Sequence, residues 1–85
     1  MDPENLGWVK SSSYRQRVLK SLEEEDMMMP SEIADRTDRH LSHISNTLSE
    51  LEERQLIECL TPDLKKGRLY SLTEDGVEIV EHLDT

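Results

Sequence analysis

One cysteine, Cys59, stands among the 85 residues. No internal disulfide can form, and a reducing compartment suits the chain. No run approaches the roughly 18 apolar residues a membrane span needs, and no signal peptide is read. A cytoplasmic location with no membrane partner is therefore expected. There is no internal repeat, and no low-complexity tract beyond Glu23-Glu24-Glu25-Asp26. Also missing are a Ser/His/Asp or Cys/His constellation, a glycine-rich phosphate loop and a paired-carboxylate cleft, so no catalytic residue and no enzyme activity is expected. His40 and His43 are three apart, but only His82, Cys59 or acids could complete a metal site, and none stands at a motif spacing. No metal and no cofactor is expected. The length fits one domain with a small core, so self-association is an open possibility.

Acidic residues are plentiful, at 19 against 10 Lys and Arg for a net charge of −9, yet they are missing from three windows. Val9 to Leu22, Arg39 to Ser49 and Leu64 to Leu72 contain none. These windows hold Lys10, Arg15, Arg17, Lys20, Arg39, Lys65, Lys66 and Arg68, which is eight of the ten cations. A net negative molecule is a poor ligand for a polyanion, but a two-signed one presents a basic side.

The pattern along the chain alternates helical stripes with short extended runs. Residues 1–10 read as an N-terminal extension, with Met1 to Gly7 loose because of Pro3 and Gly7. Residues 11–85 read as one domain. A first helix starts at a Ser11 or Ser12 cap and runs to about Glu24, with Tyr14, Val18, Leu19 and Leu22 on one stripe. Met27-Met28-Met29 is a brief strand or extended segment before Pro30. A second helix runs from about Ser31 to Arg36 or Thr37, burying Ile33 and Ala34. Asp38 is placed to cap a third helix reaching Arg54, on which Leu41, Ile44, Leu48 and Leu51 fall within an arc of about 80° at 100° per residue. Leu56 to Leu60 and Arg68 to Leu72 read as paired strands around a tip at residues 61–67, where Pro62 stops the first and Gly67 supplies backbone freedom. Thr73 caps a last helix to about Leu83, with Glu74 and Asp75 favoured by its dipole. Val77, Ile79, Val80 and Leu83 make that stripe wider than a small core needs.

Two short helices, a tight polar turn and a basic hairpin are the sequence form of a winged helix-turn-helix, an α+β fold with a three-helix core, a two-stranded wing and a C-terminal helix. Opposite the buried stripe of the third helix lie Arg39, Ser42, His43, Asn46 and Ser49, with Thr47 on one flank. Asn46 can pair with adenine through two hydrogen bonds and Arg39 with guanine, while serine and histidine can meet base edges or phosphates. Small polar groups without acids over three turns suit a helix in a DNA major groove. Lys65, Lys66 and Arg68 would reach phosphates or the minor groove. Ser31, at a helix start, and Arg15 and Arg17 are candidate phosphate contacts.

Several stretches also resemble the winged helix-turn-helix transcriptional regulators, in particular small archaeal ones related to the MarR and ArsR families. They are Tyr14-Arg15-Gln16-Arg17-Val18-Leu19, Pro30-Ser31-Glu32-Ile33-Ala34, Leu41-Ser42-His43-Ile44-Ser45, Leu51-Glu52-Glu53-Arg54 and Tyr70-Ser71-Leu72-Thr73-Glu74-Asp75-Gly76. The last is similar to the family's turn from the second wing strand into the final helix. Gln55 stands where the family commonly has glycine, so the helix end is expected to lack a left-handed cap. The extra dimerisation helices of full MarR proteins are not found. The resemblance implies a regulator of transcription that binds duplex DNA as a homodimer, through the N-terminal segment, first helix and C-terminal helix, and represses by occupying its operator. The alternative is a winged helix serving as a protein-interaction module in a transcription or replication assembly.

Overall fold

A computed structural model describes residues 2–83; Met1 of the expected extension and residues 84–85 of the expected domain lie outside them. The chain begins with a helix where loose backbone was expected. The Asp2 carboxylate accepts the Glu4 N–H at 2.9 Å, and Pro3 takes the first position of α1 (Pro3–Lys10). Proline has no N–H to lose in a first turn, so it opens this helix instead of breaking it. Gly7 costs the helix about 1 kcal/mol relative to alanine. Val9, 0% exposed, outweighs that, since full burial of an aliphatic side chain contributes about 1.5–3 kcal/mol. Trp8 also packs on the core, and the guanidiniums of Arg15 and Arg54 lie 3.9 and 4.0 Å from its ring centroid. Arg54 donates to Asn5 at 3.0 Å, tying α1 to residues far along the sequence.

Ser12 caps α2 (Ser13–Glu25), accepting from the Arg15 N–H at 3.3 Å. Val18, Leu19 and Leu22 are buried as the stripe requires, with Tyr14 at its half-buried edge. Met28 then exchanges both backbone hydrogen bonds with Tyr70, at 3.0 and 2.9 Å, so the extended segment expected here makes a single bridge to the sheet. Glu32 accepts the Met29 N–H at 2.8 Å over the start of α3 (Pro30–Thr37). Residues 38–40 form the turn to α4 (Leu41–Glu53).

Asp38 does not cap α4. It closes α3 in the left-handed region, at φ 55° and ψ 44°, and its N–H donates to the Ala34 carbonyl. Aspartate tolerates this conformation better than most side chains. His40 precedes α4 instead, without a side-chain cap. The other end of α4 is also unlike the expectation, because Gln55 does supply a left-handed cap, at φ 61°. Its N–H reaches the Glu52 carbonyl at 2.9 Å and the Leu56 N–H reaches Leu51 at 3.0 Å. That pair of bonds, with Leu51 and Leu56 both buried, is the Schellman ending that glycine usually serves.

The buried stripe of α4 is rotated from the expected one. Ile44, Leu48 and Leu51 are buried, but Leu41 is 52% exposed and Thr47 only 6%. Thr47 sits between three buried neighbours at spacings of three, one and four residues. Leu41 lies in the first turn and has only Ile44 beside it, so position along the helix overrules hydrophobicity.

β1 (Ile57–Cys59) pairs antiparallel with β2 (Tyr70–Leu72), Ile57 facing Leu72 and Cys59 facing Tyr70. Thr73 then joins three elements. Its hydroxyl donates to the Gln55 carbonyl at 2.7 Å and accepts the Gly76 N–H at 3.1 Å, while its own N–H donates to Leu56 at 3.1 Å. This caps α5 (Glu74–Leu83) and seats Gly76 against the Leu56 carbonyl. Ile79 and Val80 enter the core and Val77 stays at the surface. Among the described residues no helix is long and apolar enough to cross a membrane. The helices α2 to α4, the two-stranded sheet with its 60–69 connection and the closing α5 make the expected α+β winged helix-turn-helix.

Candidate nucleic-acid interface

With Thr47 inward, the outer crest of α4 is Ser42, Asn46 and Ser49, all exposed. Leu41 and Ser45 lie on the flank turned toward the wing. There, a groove of about 580 Å³ is lined by Ser31 and Pro30 from α3, Leu41, Ser45 and Ser49 from α4, and Lys65, Lys66 and Arg68 from the wing. Three segments far apart in sequence thus place hydroxyls and cations around one depression. Ser45 was missed by the sequence reading. Its spacing of four from both Leu41 and Ser49 was the available signal, obscured by placing Leu41 in the core.

The wing is braced from inside. Leu60 donates to Leu69 at 2.7 Å, the Leu69 N–H donates to the Thr61 hydroxyl at 3.0 Å, and Gly67 turns the chain at φ 69°. Arg68 folds back on this loop, donating through Nε to the Leu64 carbonyl at 2.7 Å and through a terminal nitrogen to Pro62 at 3.3 Å. A hydrogen bond from its guanidinium to the Tyr70 side chain raises its already high pKa, opposed by desolvation. Arg68 therefore shapes the loop, while Lys65 and Lys66 are the exposed charges at its tip.

On the opposite flank of α4, His43 meets Tyr14 of α2, and so does Arg39, which lies in the turn before α4 and not on the helix itself as expected. The Arg39 guanidinium carbon is 5.3 Å from the phenol centroid, and the imidazole meets the same ring edge-on, with centroids 5.8 Å apart at 74°. Both side chains are exposed.

The remaining candidates are not gathered here. Arg15 donates to the Trp8 carbonyl at 2.9 Å and the Ser11 hydroxyl at 3.2 Å besides stacking on Trp8, which commits its guanidinium to fastening α1. Arg17 lies apart from the wing groove, in a hollow between α2 and α3 lined also by Lys20, Arg36 and Asp38. Arg36 is held by Glu24 at 2.8 Å and Glu25 at 2.6 Å. Among the described residues, no three His, Cys, Asp or Glu side chains stand together as a metal site.

No protein-family model and no curated protein matches the sequence. Solved structures do match. The crystal structure of the reduced form of MarR from E. coli superposes with a TM-score of 0.79 at 26% identity, over 93% of this chain and 59% of that one. A cysteine-to-serine mutant of E. coli MarR complexed with operator DNA gives 0.77 at 26% identity, over 93% and 57%. The PcaV transcriptional regulator from Streptomyces coelicolor gives 0.79 at 24% identity, over 86% and 54%. The chain thus spans about half the length of the structures it matches. Those neighbours are MarR-family transcription regulators, and the described residues of this chain have their winged-helix fold.

Proposed function

We propose that the chain is a sequence-specific, duplex-DNA-binding transcriptional regulator that represses by occupying its operator. The observation that carries this is the single groove in which Ser31, the wing side of α4 and the two wing lysines converge, next to the acid-free crest of Ser42, Asn46 and Ser49. An α-helix fits the major groove with its N-terminal half against the bases. Here that half is free of acids, and the first on the crest, Glu50, comes one turn after Asn46. Asn46 reads adenine and Arg39 guanine. Lys65 and Lys66 lie on the backbone or in the adjacent minor groove, and Ser31 donates to a phosphate. The match to a MarR complexed with operator DNA supports the same reading.

The active species is a homodimer through the N-terminal segment, which includes α1, together with α2 and α5. These helices pack on one another and leave Val77 exposed beside them. Two recognition helices then address half-sites about one DNA turn apart. No catalysis is needed for this role, and occupancy takes place in the cytoplasm.

Titrating fluorescent random-sequence duplex at several salt concentrations, with Lys65→Glu/Lys66→Glu alongside, tests the reading. Salt-sensitive binding that the double variant loses supports it, and selection from a random library then yields the operator. A folded protein that binds no duplex at low salt sinks it.

A further inference from the structure

We propose that Tyr14, which lies on α2 outside the helix-turn-helix, is a positioning residue for base readout, holding Arg39 and His43 in the geometry in which they meet the DNA. The proposal rests on the DNA-binding reading above and deepens it.

Arg39, in the turn before α4, and His43, in the first turn of that helix, both lie against α2. A single ring serves both. The guanidinium lies within the ~6 Å over which an aromatic face attracts a cation. The imidazole has the edge-to-face arrangement that aromatic quadrupoles favour. An exposed arginine free to sample its rotamers adds attraction to any phosphate but discriminates bases poorly, because a paired contact with guanine requires one orientation. Stacking limits those rotamers before DNA arrives.

The chemistry of the clamp suits a DNA partner. A carboxylate could also fix Arg39, but it would neutralise the guanidinium and repel phosphate. The phenol ring holds the cation and leaves its charge available. Tyr14 and Arg39 belong to two of the acid-free windows, and the fold brings those windows together at this contact.

The hydroxyl separates this role from ordinary packing. Tyr14 Oη is buried and has no hydrogen-bond partner. A buried hydroxyl without a partner is a cost to folding, and its burial keeps it from DNA. The ring alone is therefore the useful part, and phenylalanine should replace it fully.

The test uses the selected operator and a set of operators with single base changes, titrated with the wild type, Tyr14→Leu, Tyr14→Phe, Arg39→Ala and Tyr14→Leu/Arg39→Ala. The readout is the ratio of affinities for operator and changed sites, which cancels any loss of folded protein. Tyr14→Leu should lower the discrimination at the Arg39-dependent base by roughly five- to tenfold. Tyr14→Phe should restore it, with a melting temperature no lower than the wild type's. The double variant should discriminate no worse than Arg39→Ala, since the two changes remove one interaction. Should Tyr14→Leu fail to fold, Tyr14→Met, whose flexible chain fills the same gap, takes its place. A leucine or methionine variant with unchanged ratios overturns the proposal, as does a phenylalanine variant that loses them. A folded wild type that prefers no sequence removes the DNA reading and the proposal with it, and that result is seen before any Tyr14 variant is made.

Discussion

Replacing Gly76 by alanine should cost this domain about a third of its stability, although the change adds one methyl group to a helix. A Cβ at position 76 would stand 2.0 Å from the Leu56 carbonyl oxygen, 3.1 Å from its carbon and 3.2 Å from Leu72 Cδ2. The obstructing group is backbone, held by the Schellman ending of α4 on one side and by Thr73 on the other, so no rotamer change relieves it. Real Cβ atoms do not approach closer than 3.0 Å, so α5 must withdraw by at least the 1.0 Å difference. Withdrawal strains the Thr73 N–H bond to Leu56 and the Thr73 hydroxyl bond to Gln55, each with a net worth of about 1 kcal/mol. Overpacking adds about 1–3 kcal/mol. The better helix propensity of alanine returns about 1 kcal/mol. The net loss is about 2–4 kcal/mol, against about 4–13 kcal/mol of total stability for a domain of this size. At about 4–8 °C per kcal/mol, the melting temperature should fall by roughly 8–30 °C. Urea and thermal denaturation followed by circular dichroism measure this. Gly7→Ala is the internal control, because nothing lies within 4 Å of a Cβ there and the change should stabilise by about 0.5–1 kcal/mol. A Gly76→Ala domain within 0.5 kcal/mol of wild type, judged against the about 1–3 kcal/mol overpacking range, would mean that α5 does not dock on Leu56 as described.

Gln55→Gly should stabilise the domain by about 1 kcal/mol, since glycine takes φ 61° without the strain of a side chain; an unchanged urea midpoint counts against a left-handed residue at this helix end. Leu48→Ala should cost about 2–5 kcal/mol and Leu41→Ala less than about 0.5 kcal/mol, and equal losses would restore the unrotated stripe. Asn46→Ala should reduce the preference for the operator over a site changed at the contacted base by about tenfold while leaving the salt dependence alone. Lys65→Ala should do the reverse, weakening every sequence and reducing the slope of log K against log salt by about 0.9. Both are read from one set of anisotropy titrations, and a change in slope from Asn46→Ala would contradict the division of labour.

What could be read from the chain was whatever depends on near neighbours in sequence. The stripes of α2 and α5, the Ser12 and Thr73 caps, the short strands and the basic wing tip all follow from spacing and local chemistry, and the structure has them. What could not be read depends on where an element ends up. Pro3 and Gly7 looked like breakers, and only the docking of Val9 and Trp8 makes residues 3–10 a helix. Asp38 had the composition of a cap for the following helix, yet the chain needed a left-handed residue there to end the preceding one. Gln55 is the same lesson, with the backbone bonds and the Leu51–Leu56 contact imposing a glycine conformation on glutamine. The site divides likewise. Ser42, Asn46, Ser49, Lys65 and Lys66 are exposed where expected, whereas Thr47 is lost to the core and Arg15 and Arg68 hold other parts of the fold. Ser45 and Tyr14 enter only because the wing and α2 flank the helix in three dimensions.

The net charge of −9 is compatible with a polyanionic partner for a reason of scale. The described residues extend 33 × 25 × 20 Å, while charges in water at physiological salt are screened within about 8 Å. A phosphate against the wing therefore responds to Lys65 and Lys66 and hardly at all to acids on the far side. Among the acids near enough to matter are those on the recognition helix itself. At 1.5 Å per residue, Glu50 lies about 6 Å along the axis from Asn46 and about 12 Å from Ser42. Glu50 thus repels the backbone from the C-terminal part of α4 without reaching its first turn, so the charge pattern admits the N-terminal half to a groove and turns the other half away. On the proposed reading, acidity elsewhere would keep the molecule from binding DNA indiscriminately, since few cations would be left to hold phosphates at sites where the crest finds no matching bases.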